Sequence, residues 1–141
     1  MDVGEEFAME LGRVSRWWRT RLDERLRETG LTQTRWIVLL QLSRAGPLSQ
    51  RELAQRVGIE GPTLVRVLDN LERQNLVERR ESVADRRVKE IHLSTAARPM
   101  IEKISMISAE LRRELTERLP AADLQTAWEV LKMIGETLEK P

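Results

Sequence analysis

Apolar residues recur every three or four positions near the start of the chain and predict a long amphipathic helix. Its stripe consists of Phe7, Leu11, Val14, Trp18, Leu22 and Leu26. This period brings all of them to one helix face, and Gly30 suits the C-cap. A second helix is predicted after Thr32; it is apolar on nearly every side over residues 36–40 and stops at Gly46 and Pro47. The second helix therefore belongs at the centre of the fold.

Two short predicted helices follow, joined by a turn that contains glycine. Residues 49–52 (SQRE) form a capping-box pattern that opens the first helix, and Gly58 closes it. The second helix begins at Gly61 and Pro62, where proline fits because its missing N–H would have no partner. Its inward residues are Leu64, Val67, Leu68 and Leu71. Its opposite face holds Pro62, Arg66, Asp69, Asn70 and Arg73. This pattern predicts a helix-turn-helix.

Residues 76–93 predict a charged β-hairpin. Residues 76–80 and 89–93 have strand character, and residues 82–85 resemble a turn. Five basic and four acidic residues lie between Glu78 and Glu90, inclusive. A hairpin attached directly to a helix-turn-helix makes a winged helix. The alternatives are a disordered charged spacer or a solvated turn without a partner.

Two further amphipathic helices are predicted after the hairpin. The first has Ser94 as its N-cap, an irregular or kinked first turn at Pro99, and its end at Pro120. Its apolar stripe consists of Ala97, Met100, Ile101, Ile104, Ile107, Leu111, Leu115 and Leu119. The stripe of the last helix consists of Leu124, Ala127, Trp128, Leu131, Ile134 and Leu138. The predicted fold class is mainly α with a small β-hairpin: a winged helix-turn-helix flanked by helices that form a dimerisation domain.

The terminal helices carry more apolar surface than a winged helix of about sixty residues can cover. At about 25 cal/mol per Å², leaving several large apolar side chains wet costs several kcal/mol. We therefore expect a homodimer, because twofold pairing is the commonest closed symmetry; the alternative is a monomeric helical bundle. The predicted segments are an N-terminal dimerisation helix over 1–30, the winged helix over 31–94 (helix-turn-helix 49–73, wing 76–93) and C-terminal dimerisation helices over 95–141.

Composition narrows the class of function. The formal net charge of the 141 residues is +1, so a nucleic-acid role must rest on a local basic face. No cysteine and one histidine, His92, are present, which argues against thiolate and His-rich metal sites and against disulfides. We expect no cofactor, no metal and no enzyme, since no nucleophilic triad, P-loop or dinucleotide fingerprint is seen. The acidic N-terminus and the lack of roughly 20 consecutive apolar residues lead us to expect a soluble, cytoplasmic protein without a membrane partner.

The order of the elements and four motifs resemble the MarR family of transcription factors, most closely its SlyA-like branch. The motifs are residues 31–36 (LTQTRW), 59–72 (IEGPTLVRVLDNLE), 84–94 (ADRRVKEIHLS) and the pair at 17–18 (WW). The resemblance covers nearly the whole chain and is weakest in the first few residues and the last helix. It implies a dimeric winged-helix regulator that binds DNA and is often tuned by small phenolic or carboxylate ligands.

Two positions depart from the SlyA-like pattern. Arg35 stands where many members have histidine, which makes a ligand pocket at that position more cationic. The recognition helix opens with Gly61, Pro62 and Thr63 where a Gln-Pro-Ser type of start is common, so a different base preference is expected at that edge.

Candidate DNA contacts fall on two helix starts, the recognition helix and the wing. Arg66 is the candidate for base readout, because its planar fork matches O6 and N7 of guanine. Further contacts are expected on the recognition helix and, to phosphate, at the start of the preceding helix. These residues are Gly61, Pro62, Thr63, Asn70, Arg73, Ser49, Gln50 and Arg51. In the wing, the resemblance implies that one arginine enters the minor groove while Asp85 fixes the loop; we favour Arg86 at the tip and Arg87 as the Asp85 partner or a phosphate contact.

Four tryptophans beside one phenylalanine and no tyrosine form a skewed aromatic set. We expect an effector pocket between the first, central and recognition helices, with aromatic walls and cations that meet an anion. The candidates are Arg13, Trp17, Trp18, Thr32, Arg35, Trp36 and Arg66. Burial in the core is the alternative for the tryptophans. The alternative function is a winged-helix module that binds another protein, for which an apolar, acid-rich recognition face is expected.

Overall fold

The computed structural model of the chain describes residues 2–139. Met1, Lys140 and Pro141, at the outer ends of the predicted terminal segments, lie outside the described residues. The fold is mainly helical with a small antiparallel sheet, which confirms the predicted fold class. The chain divides into two units, Met1–Ser108 and Ala109–Pro141, which are described separately.

The first unit begins with helix α1, Val3–Arg25, whose N-terminus is capped by Asp2. The carboxylate of Asp2 accepts a hydrogen bond from the amide of Glu5 at 2.8 Å. Only the last part of the predicted stripe is buried, at Leu22 and Leu26; the apolar residues near the start of α1 are exposed. The apolar surface of α1 is therefore mostly not covered within this chain.

Helix α1 ends earlier than the sequence indicated. Leu26 is its C-cap, and a single 3₁₀ turn, Arg27–Thr29, follows. Gly30 has a φ of 73° and caps this turn, not the long helix, so the predicted role of Gly30 was wrong. Tightening into a 3₁₀ turn satisfies carbonyl groups that the end of an α-helix leaves without partners.

Helix α2, Gln33–Ala45, is the centre of the unit, as predicted. It begins after Thr32 and ends at Gly46, which has a φ of 79°. Its buried residues are Trp36, Val38, Leu39 and Leu42. The helix packs against the two helices that follow it in the chain and against the strand Lys89–Leu93, so it holds the winged helix together.

Helices α3, Gln50–Val57, and α4, Gly61–Arg73, form the predicted helix-turn-helix. Gly58 lies between them with a φ of 76°, a left-handed conformation that glycine adopts without strain. Leu64, Leu68 and Leu71 of α4 are fully buried, whereas Val67 is half-buried. Each buried leucine contributes about 1.5–3 kcal/mol relative to an exposed one, which is enough to fix the face of α4 that turns to solvent.

The sheet has three strands where the sequence indicated two. Strands β2, Val77–Glu81, and β3, Lys89–Leu93, form the predicted hairpin, with Arg79 opposite Ile91. Strand β1, Leu48–Ser49, adds to the other side of β3 in the order β1-β3-β2. A strand of two residues is too short to show an alternating pattern, so the sequence could not reveal it. The connection between β2 and β3 spans residues 82–88 and is longer than the predicted turn at 82–85.

A 3₁₀ turn, Thr95–Ala97, leads into helix α5, Arg98–Thr116, which confirms the predicted irregular start. The boundary between the two units falls within α5. The helix ends at Thr116 and not at Pro120. Pro120 disfavours the helical conformation only at Leu119, the residue before it, so the helix ends earlier than the proline requires. Leu119 consequently lies beyond the helix, where its amide donates to the carbonyl of Thr116 at 3.0 Å.

The second unit contains the end of α5 and helix α6, Ala121–Glu139. The apolar stripe predicted for the last helix lies on α6, but most of its members are exposed: Leu124, Ala127, Trp128, Leu131 and Leu138. Ile134 is half-buried. Of the helices within residues 2–139, none is long and apolar enough to cross a membrane.

Candidate nucleic-acid interface

One open groove is lined by the start of α3, the turn between α3 and α4, and the loop end of the wing. It brings together five residues that the sequence nominated for DNA contact: Ser49, Gln50, Arg51, Gly61 and Arg87. The two helix starts and the wing therefore face a common space, although they are up to 38 positions apart in the chain.

The start of α3 is built by the predicted capping box. The Ser49 hydroxyl accepts from the Glu52 amide at 3.1 Å, and the Glu52 carboxylate accepts from the Ser49 amide at 3.4 Å. These two bonds fix the first turn of α3. The amides of Gln50 and Arg51 lie in that turn, where N–H groups have no acceptor within the helix and carry partial positive charge. Such a helix start suits a phosphate oxygen.

The solvent face of α4 is cationic. Pro62, Arg66 and Arg73 are exposed, and Thr63 is half-buried. Asn70 is also half-buried, and its side-chain oxygen accepts from the Gln74 amide group at 2.6 Å, so it is engaged within the helix. The buried leucines on the other side of α4 fix this orientation.

Arg79 of β2 connects the wing to α4, a role that the sequence did not reveal. Its guanidinium donates from Nη2 to Asp69 and from Nε to Glu72, the latter at 3.4 Å. Its backbone amide also donates to Glu72, at 3.3 Å. The hydrogen bond to Asp69 is the main cause that raises the pKa of the Arg79 guanidinium. Asp69, expected on the open face of α4, is therefore directed to the wing.

A weak signal for Arg79 was present in the sequence. Alternate residues of a strand share a face, so Arg79 lies on the same side of β2 as the buried Val77. An arginine on the inward side of a strand requires a carboxylate partner, and the preceding helix offers Asp69 and Glu72.

The wing tip is held by an ion pair within one turn. The Asp85 carboxylate accepts from the Arg87 amide at 3.0 Å and from the Arg87 guanidinium at 3.1 and 3.2 Å. This confirms Arg87 as the partner of Asp85, and these bonds lower the pKa of the Asp85 carboxyl group. Arg86 and Arg87 are both exposed; the Arg87 side chain retains 91% of its accessible surface.

The other charged residues of the wing form pairs on its surface. Arg80 pairs with Glu78 at 2.7 Å, and Lys89 with Glu81 at 3.9 Å. His92, half-buried on β3, lies 3.3 Å from Glu90. Exposed pairs of this kind contribute at most about 1 kcal/mol each, so they set local charge more than stability.

Four arginines on α3, α4 and the wing remain available. Across residues 2–139, ion pairs form for Arg79, Arg80 and Arg87 but for none of Arg51, Arg66, Arg73 and Arg86. All four are exposed. A guanidinium that is exposed and unpaired can form a bidentate bond to a phosphate or a base without first breaking an internal contact.

The residues nominated for an effector pocket lie in different surroundings. The Arg13 guanidinium stacks over the exposed Trp17 ring at 4.6 Å. Trp36 is buried and its indole N–H donates to Asp23 at 3.3 Å, so it is a core residue with a satisfied polar group. The remaining nominees range from half-buried to exposed: Trp18 and Arg35 are half-buried, and Thr32 and Arg66 are exposed.

In the described part of the chain, no group of three or more His, Cys, Asp or Glu residues is arranged to hold a metal ion. Besides the Glu60 carboxylate, the groove offers backbone amides, the Ser49 hydroxyl and the cations of Arg51, Arg87 and Lys89, which are ligands for an anion.

Comparison with known proteins agrees with this geometry. A family model described as MarR family matches residues 29–88. The crystal structure of the transcriptional regulator PA3341 is 43% identical, with 96% of this chain and 99% of that chain covered and a TM-score of 0.90. A MarR family transcriptional regulator from Silicibacter pomeroyi DSS is 27% identical over 96% of this chain and 91% of that one, with a TM-score of 0.90.

A third structure contains DNA. A mutant of MarR from E. coli complexed with operator DNA is 25% identical over 95% of this chain and 99% of that chain, with a TM-score of 0.77. The helix-turn-helix, the attached wing, the family match and the 43% identical regulator lead to one assignment. The chain belongs to the MarR family of winged-helix transcriptional regulators.

Proposed function

We propose that the protein acts as a homodimer on a pseudo-palindromic operator, with α4 in the major groove and the wing in the minor groove of each half-site. The observation that carries this proposal is the set of four exposed arginines without an ion pair on α3, α4 and the wing: Arg51, Arg66, Arg73 and Arg86. This cationic face also argues against the alternative of a protein-interaction module, for which an apolar, acid-rich face is expected.

In the major groove, Arg66 reads a guanine through O6 and N7. Gly61, Pro62 and Thr63 lie at the start of α4, the end that approaches the base edges in helix-turn-helix proteins. Ser49, Gln50 and Arg51 hold phosphate at the start of α3, where the capping box leaves amides available. Arg73 and Asn70 contact the backbone further along α4.

In the minor groove, Arg86 is the inserted residue. Electrostatics supports this choice of residue. Arg87 is bound by Asp85, whereas Arg86 is exposed and forms no ion pair with any residue from 2 to 139. A narrow minor groove concentrates negative potential and attracts such a cation. In this arrangement Asp85 and Arg87 fix the loop, and Arg87 can still reach a phosphate.

The homodimer forms through the terminal helices. Support comes from exposed apolar side chains on α1, such as Phe7 and Val14, and on α6, such as Trp128 and Leu131. Burial between two copies removes this surface from water. Twofold pairing also gives two recognition helices for two half-sites, about one helical turn of DNA apart.

The protein belongs to the SlyA-like branch, acts in the cytoplasm and responds to a small phenolic or carboxylate effector. Support comes from the LTQTRW and ADRRVKEIHLS motifs and from the cationic and aromatic residues of the first two helices. Arg35 is half-buried beside the buried Trp36, so a carboxylate there meets a partly desolvated cation. Arg13 lies over the Trp17 ring, but it already pairs with Glu10 at 2.6 Å, so Arg35 is the stronger candidate for the effector carboxylate.

The test uses a duplex that the full-length protein selects from a random-sequence pool, with a scrambled duplex as reference. Arg66→Ala should relax the preference at one base position by about 5- to 150-fold, because each bidentate pair supplies roughly 1–3 kcal/mol of discrimination. Arg86→Ala should weaken binding to both duplexes and reduce the slope of log affinity against log salt by about one.

Arg118→Ala is the matched control, because Arg118 is exposed and lies outside the winged helix. It should leave the sequence preference and the affinity unchanged. If both Arg66→Ala and Arg86→Ala bind the selected duplex as the parent does, the proposed contacts are incorrect. If the parent selects no sequence at all, operator recognition itself is refuted.

A further inference from the structure

We infer that Arg79 is a positioning residue that sets the angle between the recognition helix and the wing and thereby determines sequence specificity without touching DNA. This inference rests on the proposed function, because it concerns how two DNA-reading elements are held. It adds a residue that lies outside the set nominated for contact.

Arg79, Asp69 and Glu72 form what we call the Arg79 bracket. Asp69 and Glu72 are three positions apart on α4 and share one face of that helix. The guanidinium of Arg79 donates to both carboxylates, and its backbone amide donates to Glu72 at 3.3 Å. The backbone and the side chain of Arg79 thus attach β2 to two points on α4. Two points of attachment fix the direction of the strand as well as its distance from the helix.

The adjacent Arg80 shows what an ordinary wing arginine does. Its side chain is 58% exposed and its partner, Glu78, lies in the same strand. The Arg79 side chain is 22% exposed and its partners lie on a different element. A less exposed pair is screened less by water and salt, so Arg79 couples two elements where Arg80 couples none.

Covalent connection does not provide this coupling. Residues 74–76 join α4 to β2 and hold the near end of the strand, with Asn75 at a φ of 60°. The tip of the wing at Arg86 is ten positions beyond that connection. A small rotation at the near end displaces the tip by a much larger distance, and the Arg79 bracket opposes that rotation.

Specificity depends on this angle because Arg66 on α4 and Arg86 on the wing must reach adjacent grooves at the same time. With a fixed wing, only a duplex of the right sequence and shape can contact Arg66 and Arg86 at the same time. With a loose wing, the cognate complex must first order the wing, and that ordering weakens binding. Binding to scrambled DNA, which rests on charge alone, changes less.

Variants of the two carboxylates test this inference, because it and simple electrostatics predict opposite changes in affinity for the cognate duplex. Asp69→Asn and Glu72→Gln each remove a negative charge from the helix that approaches DNA. Simple electrostatics therefore predicts tighter binding to every duplex. If the Arg79 bracket holds the wing, these variants should instead bind the cognate duplex more weakly, because loss of the bracket releases the wing.

The experiment measures affinities of the full chain for the parent-selected duplex and for its scrambled counterpart, each at two salt concentrations. Arg79→Ala should lower the ratio of the two affinities by about tenfold, the size expected for the loss of a coupled pair. Arg79→Lys should also lower the ratio, but by less than Arg79→Ala does. The ratio still falls, because one ammonium cannot span both carboxylates in the same fork geometry. Arg80→Ala, which removes the same charge from the same strand, should keep the ratio within about twofold.

The results separate this inference from the proposed function. If the parent selects no duplex, operator recognition fails first. If the parent selects one and Arg79→Ala keeps the same ratio as Arg80→Ala, the positioning role alone is refuted. Should Arg79→Ala fail to fold by circular dichroism, Asp69→Asn decides: a lower ratio supports the role, and an equal or higher ratio overturns it.

Discussion

Arg86 and Arg87 are neighbours of the same residue type, yet their surroundings in the wing differ. Arg87 donates three hydrogen bonds to Asp85, whereas Arg86 forms no ion pair anywhere in the region 2–139. The Asp-Arg-Arg motif leaves open which arginine pairs with Asp85, although we favour Arg87 on the sequence alone. The turn conformation, which places the amide of Arg87 over the carboxylate, decides between them.

The Asp85 carboxyl group should titrate at a lower pH in the folded protein than in a peptide of residues 80–90. Hydrogen bonds from Arg87 lower its pKa, so the carboxylate stabilises the wing above the usual range of aspartate. That contribution is lost as the pH falls through the lowered pKa. A carbon-13 NMR titration of the Asp85 carboxyl group measures this shift.

Arg87→Ala should return the Asp85 titration toward that of the peptide, while Arg86→Ala should leave it unchanged. An Arg87→Ala titration identical to that of the parent would show that Arg87 does not hold the carboxylate in solution.

At the scale of elements, the helix-turn-helix was predictable because its signals are local. Ser49 and Glu52 are three positions apart and cap the same turn, and Gly58 lies where the chain adopts a positive φ. Each signal needs only the residues beside it in sequence. The boundaries of α3 follow from these residues alone.

The turn glycine should be more sensitive to substitution than the glycine three positions later. Gly58→Ala should lower the free energy of unfolding by about 1–2 kcal/mol, because a β-carbon disfavours the left-handed conformation. An added β-carbon at Gly58 meets nothing within 4 Å, so the loss is one of backbone strain and not of packing. Chemical denaturation measures the difference.

Gly61→Ala is the control, since its β-carbon also meets nothing within 4 Å and its φ is not positive. It should change the free energy of unfolding by less than about 0.5 kcal/mol. Equal losses for the two variants would contradict a backbone cause.

Elements that depend on distant residues were harder to predict. Strand β1 exists because Leu48 and Ser49 pair with Ile91 and Glu90, some forty positions away. The role of Arg79 depends on how β2 lies across α4, which no local pattern encodes. The helix end at Thr116, four residues before Pro120, likewise reflects competition between turn types that a stop signal does not resolve.

At the scale of the whole molecule, the surface left open by one chain is informative. On α6, Trp128 is 53% exposed and Leu131 is 43% exposed, and α1 exposes Phe7 to 43%. The stripes were visible in the sequence, and their extent predicted that one winged helix could not cover them. Which members stay exposed was not predictable, because periodicity shows which residues share a face and not what covers it. This surface is the basis of the proposed homodimer.

Leu131→Glu should convert the proposed dimer into a monomer. A charge buried at an interface without a partner costs several kcal/mol, whereas in a single chain this side chain already meets water. In sedimentation velocity, the mass of the sedimenting species should fall from that of two 16.4 kDa chains to that of one. The circular dichroism spectrum should remain helical.

Met133→Glu is the matched control on the same helix. Met133 is 66% exposed and lies outside the predicted stripe, so this variant should sediment as the parent does. A parent protein that sediments as a single chain, or a Leu131→Glu variant that remains paired, would contradict assembly through α6.

The strand order β1-β3-β2 leaves β2 at the edge of the sheet. Four of its five residues are charged, Glu78, Arg79, Arg80 and Glu81, and charged side chains discourage an edge strand from pairing with another chain. The opposite edge, β1, is only two residues long and runs directly into α3. We therefore expect the wing to resist edge-to-edge pairing, so that crowded molecules should not polymerise through their small sheets.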